Sequence, residues 1–134
     1  MAFYDHIADT RENRSYLGRK NVLKYSHKLF NILNEHLNRQ SLVLEIGPGE
    51  GLLADIIKNN EKNVRYCAIE ANYQMASNLS KRGHRLILSN TPPFPVQSNH
   101  FDVVIAIAVI EHMPTFQQAL EFSGECYRVL KDGG

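Results

Sequence analysis

The sequence lacks tryptophan, contains only two cysteines and carries almost no net charge. Its 15 Lys and Arg residues nearly cancel its 14 Asp and Glu residues, so the chain has no strong field that would attract nucleic acid or an anionic membrane. No stretch approaches the roughly 18 apolar residues that a membrane-spanning helix needs. We therefore expect a small molecule as the partner, with no nucleic acid and no membrane span.

The two cysteines, Cys67 and Cys126, are far apart, and neither belongs to a CxxC pair. This pattern fits ordinary packing in a reducing cytosol better than a disulfide scaffold. The first residues, MAFYDHIADTRENR, contain no apolar segment of the kind found in signal peptides. We therefore expect a cytoplasmic protein.

The chain divides into two parts of different pattern. Residues 1–19 are polar and without periodicity, whereas apolar residues recur at helical spacing from about Lys20 to Leu37. Residues 1–40 are therefore predicted to form an arm and a cap helix. Residues 41–134 alternate apolar runs with helical patterns and are predicted to form the core.

The fold class follows from the order of these runs. Apolar runs predict four strands, at residues 42–46, 64–69, 85–88 and 101–109. Helical patterns lie between or after them, and no hairpin signal joins consecutive strands. The prediction is an α/β fold with a doubly wound, Rossmann-like parallel sheet flanked by helices.

Two predictions concern packing. The run 101–109, FDVVIAIAV, is β-branched and almost continuously apolar, which predicts a long central strand buried on both faces. The last helix carries Phe116, Leu120 and Tyr127 on its apolar face.

Ligands of such sheets bind at the carboxyl ends of the strands. Gly47, Gly49 and Gly51 follow the first strand in the segment GPGEG. The first glycine allows a sharp turn, the second allows a ligand to approach bare backbone, and the third allows the next helix to start close to the first strand. A purely structural turn is the alternative.

The charges of this loop disfavour a phosphate ligand. The spacing is GxGxG rather than the GxGxxG of dinucleotide sites, Pro48 has no N–H donor, and Glu50 places negative charge at the helix N-terminus. Glu45, Glu50, Glu70 and Glu111 would instead surround the pocket with negative charge. That arrangement suits S-adenosylmethionine, which carries a sulfonium and an ammonium group.

Residues after the next two strands are candidates for the adenosine half of such a ligand. Glu70, followed by Ala71, can accept hydrogen bonds from both ribose hydroxyls unless it is a solvated surface acid. Asn90 can accept from an adenine amino group and the Thr91 N–H can reach a ring nitrogen, although Asn in a loop is more often a turn residue. Met75 is expected either on an adenine face or in the core.

Five segments resemble the class I S-adenosylmethionine-dependent methyltransferases, including those of the ubiquinone pathway. They are LEIGPGEG (44–51), EANYQM (70–75), SNTPPFPVQSNHFDVVIA (89–106), VIEHMP (109–114) and YRVLKDGG (127–134). The resemblance implies that Gly47, Gly49 and the region of Glu45 hold the methionine half of the cofactor, with the backbone around Ile107 near the ammonium. It assigns Glu70 to the ribose and Asn90 with Thr91 to the adenine. Asn90 departs from the usual Asp, and Ser89 from a common Gly.

The family fold has seven strands in the order 3-2-1-4-5-7-6. The sequence stops where strand five would begin, so the resemblance implies about four strands in the order 3-2-1-4, without the C-terminal strands. We expect the free edge of the fourth strand to self-associate or to be completed by further chain.

The expected reaction is transfer of the methyl group to a small-molecule acceptor by in-line displacement at the methyl carbon, with the thioether sulfur as the leaving group and without a metal. His112 is the candidate general base, with orientation of the turn before Pro114 as its alternative role. A catalytically silent cofactor-binding or assembly module is the main alternative function. A nicotinamide-dependent oxidoreductase is a further one.

Overall fold

The computed structural model describes residues 16–60, 62–90 and 92–134, with side chains from residue 20 onward. The helices are α1 (Tyr16–Asn34), α2 (Leu52–Lys58), α3 (Tyr73–Lys81) and α4 (Phe116–Val129), with a short 3-10 helix at Ile110–His112. The strands are β1 (Leu42–Ile46), β2 (Arg65–Glu70), β3 (Leu86–Leu88) and β4 (Val103–Ala106).

The four strands form one sheet in the order β3-β2-β1-β4, and all three pairings are parallel. The predicted fold class and strand order are therefore confirmed. In the register, Leu44 of β1 lies between Cys67 of β2 and Val104 of β4. Parallel strands place their carboxyl ends at one edge of the sheet, and this edge collects the loops that carry the candidate site.

Alternating side chains of β1 divide the core into two clusters. Val43 packs with Leu53, Ile57 and Leu79 on the side of the sheet covered by α2 and α3. Leu42, Leu44 and Ile46 face the other side, where they meet apolar residues of the β3–β4 loop and of α4. Because β1 is covered on both faces, all five of its residues are buried.

The first helix begins earlier than its apolar pattern indicates. It starts at Tyr16 rather than near Lys20 and ends at Asn34. Leu37 lies beyond its end but is still only 3% exposed. The sequence predicts the arm at residues 1–19; residues 16–19 belong instead to the helix, and residues 1–15 lie outside the described residues. Within the described part of the chain, no helix is both long enough and apolar enough to cross a membrane.

The prediction of one long strand at 101–109, buried on both faces, is wrong. The strand is confined to Val103–Ala106 and, among the described residues, pairs only with β1. Ala108 adopts a positive φ of 53°, which turns the chain away from the sheet direction. Ile107 is 47% exposed, because the apolar residues beyond the strand line the loop edge rather than the core.

The start of β4 is contacted by the segment that follows α4. Phe101 and Leu130 form an isolated parallel bridge. The Phe101 N–H donates to the Val129 carbonyl at 3.0 Å, and the Lys131 N–H donates to the Phe101 carbonyl at 2.9 Å. Self-association through the remaining edge of β4 stays a prediction.

The apolar face predicted for the last helix is the wrong one for the core. Phe116 and Tyr127 are 79% and 81% exposed, whereas Phe122 and Val129 are buried. Phe122 packs edge to face on Phe94, with ring centroids 5.6 Å apart. The contact with the β3–β4 loop therefore decides which stripe of α4 faces inward.

Two glycines, one in a crowded position against α3 and one in an open position on α4, provide a matched test of the helix packing. Gly51 has a φ of +73°, and a Cβ there would lie 2.2 Å from Leu79 Cδ2, whereas a Cβ at Gly124 in α4 would meet no atom within 4 Å. We expect Gly51→Ala to lower the free energy of unfolding by about 1–3 kcal/mol. Gly124→Ala should raise it by about 0.5–1 kcal/mol. Urea unfolding measures both, and a Gly51→Ala variant as stable as the wild type would contradict the packing described.

Candidate functional site

Two adjoining cavities lie at the carboxyl ends of the strands. The first, of about 90 Å³, is bounded by the ends of β1 and β2, the loop after β3 and the 3-10 helix. The second, of about 500 Å³, is bounded by α1, the glycine loop and the end of β4. Gly47 and Ala108 line both cavities. The two cavities therefore meet at the first glycine of the loop.

The candidate residues are divided between these cavities. Gly47, Glu70, Ala71 and Asn90 line the first, together with Met75 and His112. Glu45, Gly47, Gly51 and Ile107 line the second. Gly49 is buried and lines neither cavity. Thr91 lies outside the described residues, so its predicted role is not tested.

Hydrogen bonds of the glycine loop fix its conformation. The Gly47 N–H donates to the Ile69 carbonyl at 2.8 Å, and the Gly51 N–H donates to the Pro48 carbonyl at 2.9 Å. Gly47 has a φ of +68°, and a Cβ there would lie 2.9 Å from Val109 Cγ2. The first position therefore needs glycine both for its backbone conformation and for the space beside it.

Gly51 has a different neighbour from the one predicted. A Cβ at this position would meet Leu79 and Arg82 of α3 rather than the first strand. The glycine thus permits close packing of the α2 N-terminus against α3, a contact between residues that are distant in the sequence. Gly51 is also the N-cap of α2 and supplies no side-chain cap.

Glu70 is the centre of the site's backbone contacts. Its Oε2 accepts from the Gly49 N–H at 3.1 Å, and its Oε1 accepts from the Asn72 N–H at 2.9 Å. The side chain is 6% exposed, which contradicts the alternative of a solvated surface acid. Each carboxylate oxygen retains a second lone pair for a ligand hydroxyl.

Glu45 is a buried acid in the sheet itself. It is 4% exposed, and its Oε2 accepts a hydrogen bond of 2.6 Å from the Tyr66 hydroxyl. Burial raises the pKa of Glu45 to about 7; the Tyr66 hydrogen bond opposes this rise, and the negative charge of Glu70 adds to it. The Glu45 carboxyl thus exchanges its proton near neutral pH and faces the second cavity.

The charge lining the two cavities is negative. Glu45 and Glu50 line the second cavity and Glu70 the first, and no Lys or Arg among the described residues lines either. Glu50 Oε1 is buried and has no hydrogen-bond partner in the described part of the chain. Glu111, predicted to add to this charge, is exposed and lines neither cavity. The site is suited to a cationic group and unsuited to a phosphate.

The adenine end of the predicted site is more open. Asn90 is exposed at the rim of the first cavity. Met75 is half-buried and lines that cavity, so its side chain is available to a ligand as well as to the core. His112 lies in the 3-10 helix, lines the same cavity and donates its N–H to the Val109 carbonyl at 3.0 Å.

Sequence reasoning missed several residues of the first cavity. Asn72 is the N-cap of α3, and its side chain accepts from the Met75 N–H at 3.0 Å. An Asn just before a helical pattern is a capping signal that could have identified it. Phe94, Met113 and Phe122 also line the cavity. No local signal identifies these three, because they come from the proline-rich loop, the 3-10 turn and α4.

A charged pair on α4 holds the loop that contributes Phe94. Glu125 Oε2 accepts from the Phe94 N–H at 2.6 Å, and Arg128 Nη2 donates to the Phe94 carbonyl at 3.0 Å. Arg128 Nη1 also donates to the Val96 carbonyl at 3.1 Å. The hydrogen bonds from Arg128 lower the pKa of Glu125. The irregular β3–β4 loop is thus held by side chains that face it from the last helix.

No group of three or more His, Cys, Asp or Glu side chains within the described ranges is arranged to hold a metal ion.

Comparison with known proteins gives consistent matches. A methyltransferase domain model matches residues 44–134. A probable S-adenosylmethionine-dependent methyltransferase from Mycolicibacterium smegmatis is 34% identical over 94 residues, which cover 69% of this chain and 35% of that protein.

Two solved structures are similar in fold. A SAM-dependent methyltransferase from Thermotoga maritima aligns with a TM-score of 0.56 and 26% identity over 72% of this chain and 42% of that one. Coclaurine N-methyltransferase bound to N-methylheliamine and SAH aligns with a TM-score of 0.65 and 17% identity over 81% of this chain and 34% of that one. The chain thus spans less than half the length of each of these proteins.

The buried acid gives a pH-dependent prediction. Glu45 has a pKa of about 7 in the folded chain and 4.5 as its ordinary value, so between these values the folded chain holds a proton that the unfolded chain releases. The free energy of unfolding attributable to Glu45 is therefore largest below about pH 4.5 and is lost as the pH rises through about 7. Glu45→Gln removes this dependence and keeps an acceptor for Tyr66.

Urea unfolding of both proteins from about pH 5 to about pH 8 checks this prediction. The stability of the wild type should fall relative to Glu45→Gln as the pH rises. Glu121→Gln, which removes an exposed carboxylate on α4, controls for the loss of one negative charge. A constant difference between wild type and Glu45→Gln over this range would contradict the raised pKa.

Proposed function

The chain belongs to the class I S-adenosylmethionine-dependent methyltransferase family, and from that premise we propose that it binds S-adenosylmethionine for methyl transfer to a small-molecule acceptor. The observation that carries this proposal is the negative lining of the two cavities around a glycine loop. Glu50 and Glu70 supply this charge, and Glu45, whose pKa is raised to about 7, adds to it where it is ionised.

The details of the loop favour a sulfonium ligand over a dinucleotide. Pro48 has no N–H, and the Gly49 N–H is already donated to Glu70, so two donors that a pyrophosphate needs are missing. The buried Oε1 of Glu50 has no hydrogen-bond partner among the described residues, which leaves it available to a cationic ligand. An unpaired buried acceptor is costly, and such a ligand would relieve that cost.

We place the adenosine half in the first cavity. Glu70 would accept from the ribose hydroxyls, with Ala71 beside it, and Asn90 and Met75 would lie at the adenine. The methionine half would pass Gly47, which lines both cavities, and reach the second. There Glu45 and the backbone near Ile107 would meet the ammonium group.

The second cavity also offers room for the acceptor. Val22 and Leu29 of α1 supply apolar walls, and Tyr25 and Ser26 supply hydroxyl groups. S-adenosylmethionine supplies a methyl group already activated by its sulfonium. The residues of this chain then have to hold the acceptor in line with the methyl group and exclude water. Acidic side chains in the same cavity favour a neutral or cationic acceptor over an anionic one.

His112 is the candidate base for acceptors that lose a proton. It lines the first cavity rather than the second, and its backbone N–H stabilises the turn before Pro114. A hydrogen bond therefore supports the role of His112 in the turn. A catalytic role would require the acceptor to extend from the second cavity past Gly47 into the first, where His112 lies.

The catalytically silent module is a second candidate function, favoured by one observation. The match covers only 35% of the M. smegmatis relative, so most of that relative has no counterpart in this chain. Both functions require cofactor binding, but only the methyltransferase function requires the whole protein to methylate an acceptor. A methylation assay of the whole protein therefore separates the two functions.

Calorimetric titration tests the cofactor directly. We expect the chain to bind S-adenosylmethionine and S-adenosylhomocysteine and not to bind NAD. Glu70→Gln places an amide NH2 group against one of the two backbone donors, Gly49 or Asn72, so it should weaken cofactor binding by about 1–3 kcal/mol. Glu121→Gln on the exposed face of α4 should bind as the wild type does. Preference for NAD, or full affinity in Glu70→Gln, would overturn the assignment.

A further inference from the structure

A second polar cluster contacts the glycine loop, and its residues line neither of the two cavities. It contains Asp55 of α2, Arg82 at the C-cap of α3, and His84 after it. Arg82 Nη1 donates to Asp55 Oδ2, and Arg82 Nη2 donates to the Glu50 carbonyl at 2.5 Å. One guanidinium therefore bridges a side chain of α2 and the backbone of the loop.

The cluster is anchored in the core through His84. The His84 side chain is 2% exposed, and its Nε2 lies 2.7 Å from Asp55 Oδ1. Its ring packs edge to face on Tyr66, with centroids 5.8 Å apart. Asp55 is thus fixed from the buried side by His84 and from the solvent side by Arg82.

The glycine loop needs such an external restraint. Gly47, Gly49 and Gly51 all have positive φ values, and glycine loses more conformational freedom on folding than any other residue. The N-cap of α2 is Gly51, which has no side chain to cap the helix. Order in the loop therefore comes from the hydrogen bonds of its own backbone and from side chains that contact that backbone.

Two side chains hold different peptide groups of the loop. Glu70 accepts from the N–H of Gly49, and Arg82 donates to the carbonyl of Glu50. Arg82 lines neither cavity. Its planar guanidinium reaches both Asp55 and the Glu50 carbonyl at once, which a lysine ammonium on a flexible stem does less well.

We propose that Arg82 is a positioning residue that holds the glycine loop in its ligand-binding conformation without touching the ligand. The part of this inference that concerns affinity rests on the proposed function. The part that concerns loop order does not, because the contacts exist in the chain alone. Loss of Arg82 should increase the mobility of residues 47–51 before it affects the rest of the fold. Cofactor affinity should then fall, because part of the binding free energy is used to order the loop.

The test combines amide hydrogen exchange without ligand and calorimetric titration with S-adenosylhomocysteine. Arg82→Ala should increase exchange at Gly49 and Gly51 by about tenfold while the sheet amides remain protected, and should weaken binding by about tenfold. Arg82→Lys should show a smaller change in both measurements. Lys81→Ala, which removes the neighbouring exposed cation, should behave as the wild type does.

This test separates failure of the Arg82 inference from failure of the proposed function. If the wild type binds no S-adenosylhomocysteine, the cofactor assignment fails, and the exchange comparison still tests Arg82. Unchanged exchange at 47–51 in Arg82→Ala would overturn the inference. A uniform rise in exchange over the whole chain in both Arg82→Ala and Arg82→Lys would also overturn it, because the residue would then stabilise the fold as a whole.

Discussion

The carboxylate of Glu70 is the interaction on which the site depends. It ends β2 and accepts from the Gly49 N–H in the loop after β1 and from the Asn72 N–H at the start of α3. Two crossover connections of the sheet are therefore joined at one buried charge. Such bonds between a carboxylate and backbone donors are stronger than neutral ones. The chain of contacts continues into α3, because the Asn72 side chain in turn accepts from the Met75 N–H.

Burying a carboxylate costs free energy unless hydrogen bonds or a shifted pKa offset it, and the three acids of the site differ in this respect. Glu70 is satisfied by backbone donors, whereas Glu45 has the Tyr66 hydroxyl and a pKa raised by burial to about 7. Glu50 leaves one buried oxygen without a partner among the described residues. The three glutamate side chains thus differ in how far hydrogen bonds offset the cost of burying them. A cationic ligand explains this concentration of acids better than the requirements of folding do.

The sequence predicts those parts of the fold that depend on local pattern. β1 has the predicted bounds, and the parallel order β3-β2-β1-β4 is the expected one, because apolar runs and glycine punctuation are local signals. The length of β4 and the buried face of α4 were mispredicted. Hydrophobicity alone does not say what lies opposite Phe116 or Ile107. Likewise, Asp55, Arg82 and His84 meet only after two crossovers, so no spacing in the sequence reveals them.

The central claim is structural: one glycine loop, held by Glu70, receives a sulfonium cofactor at the carboxyl edge of the sheet. Backbone amide NMR during titration with S-adenosylhomocysteine tests this claim most directly. We expect the largest chemical-shift changes at Gly47, Gly49 and Gly51 and at the residues after β2 and β3. Saturable binding with its largest changes elsewhere, for example on the exposed face of α4, would contradict it.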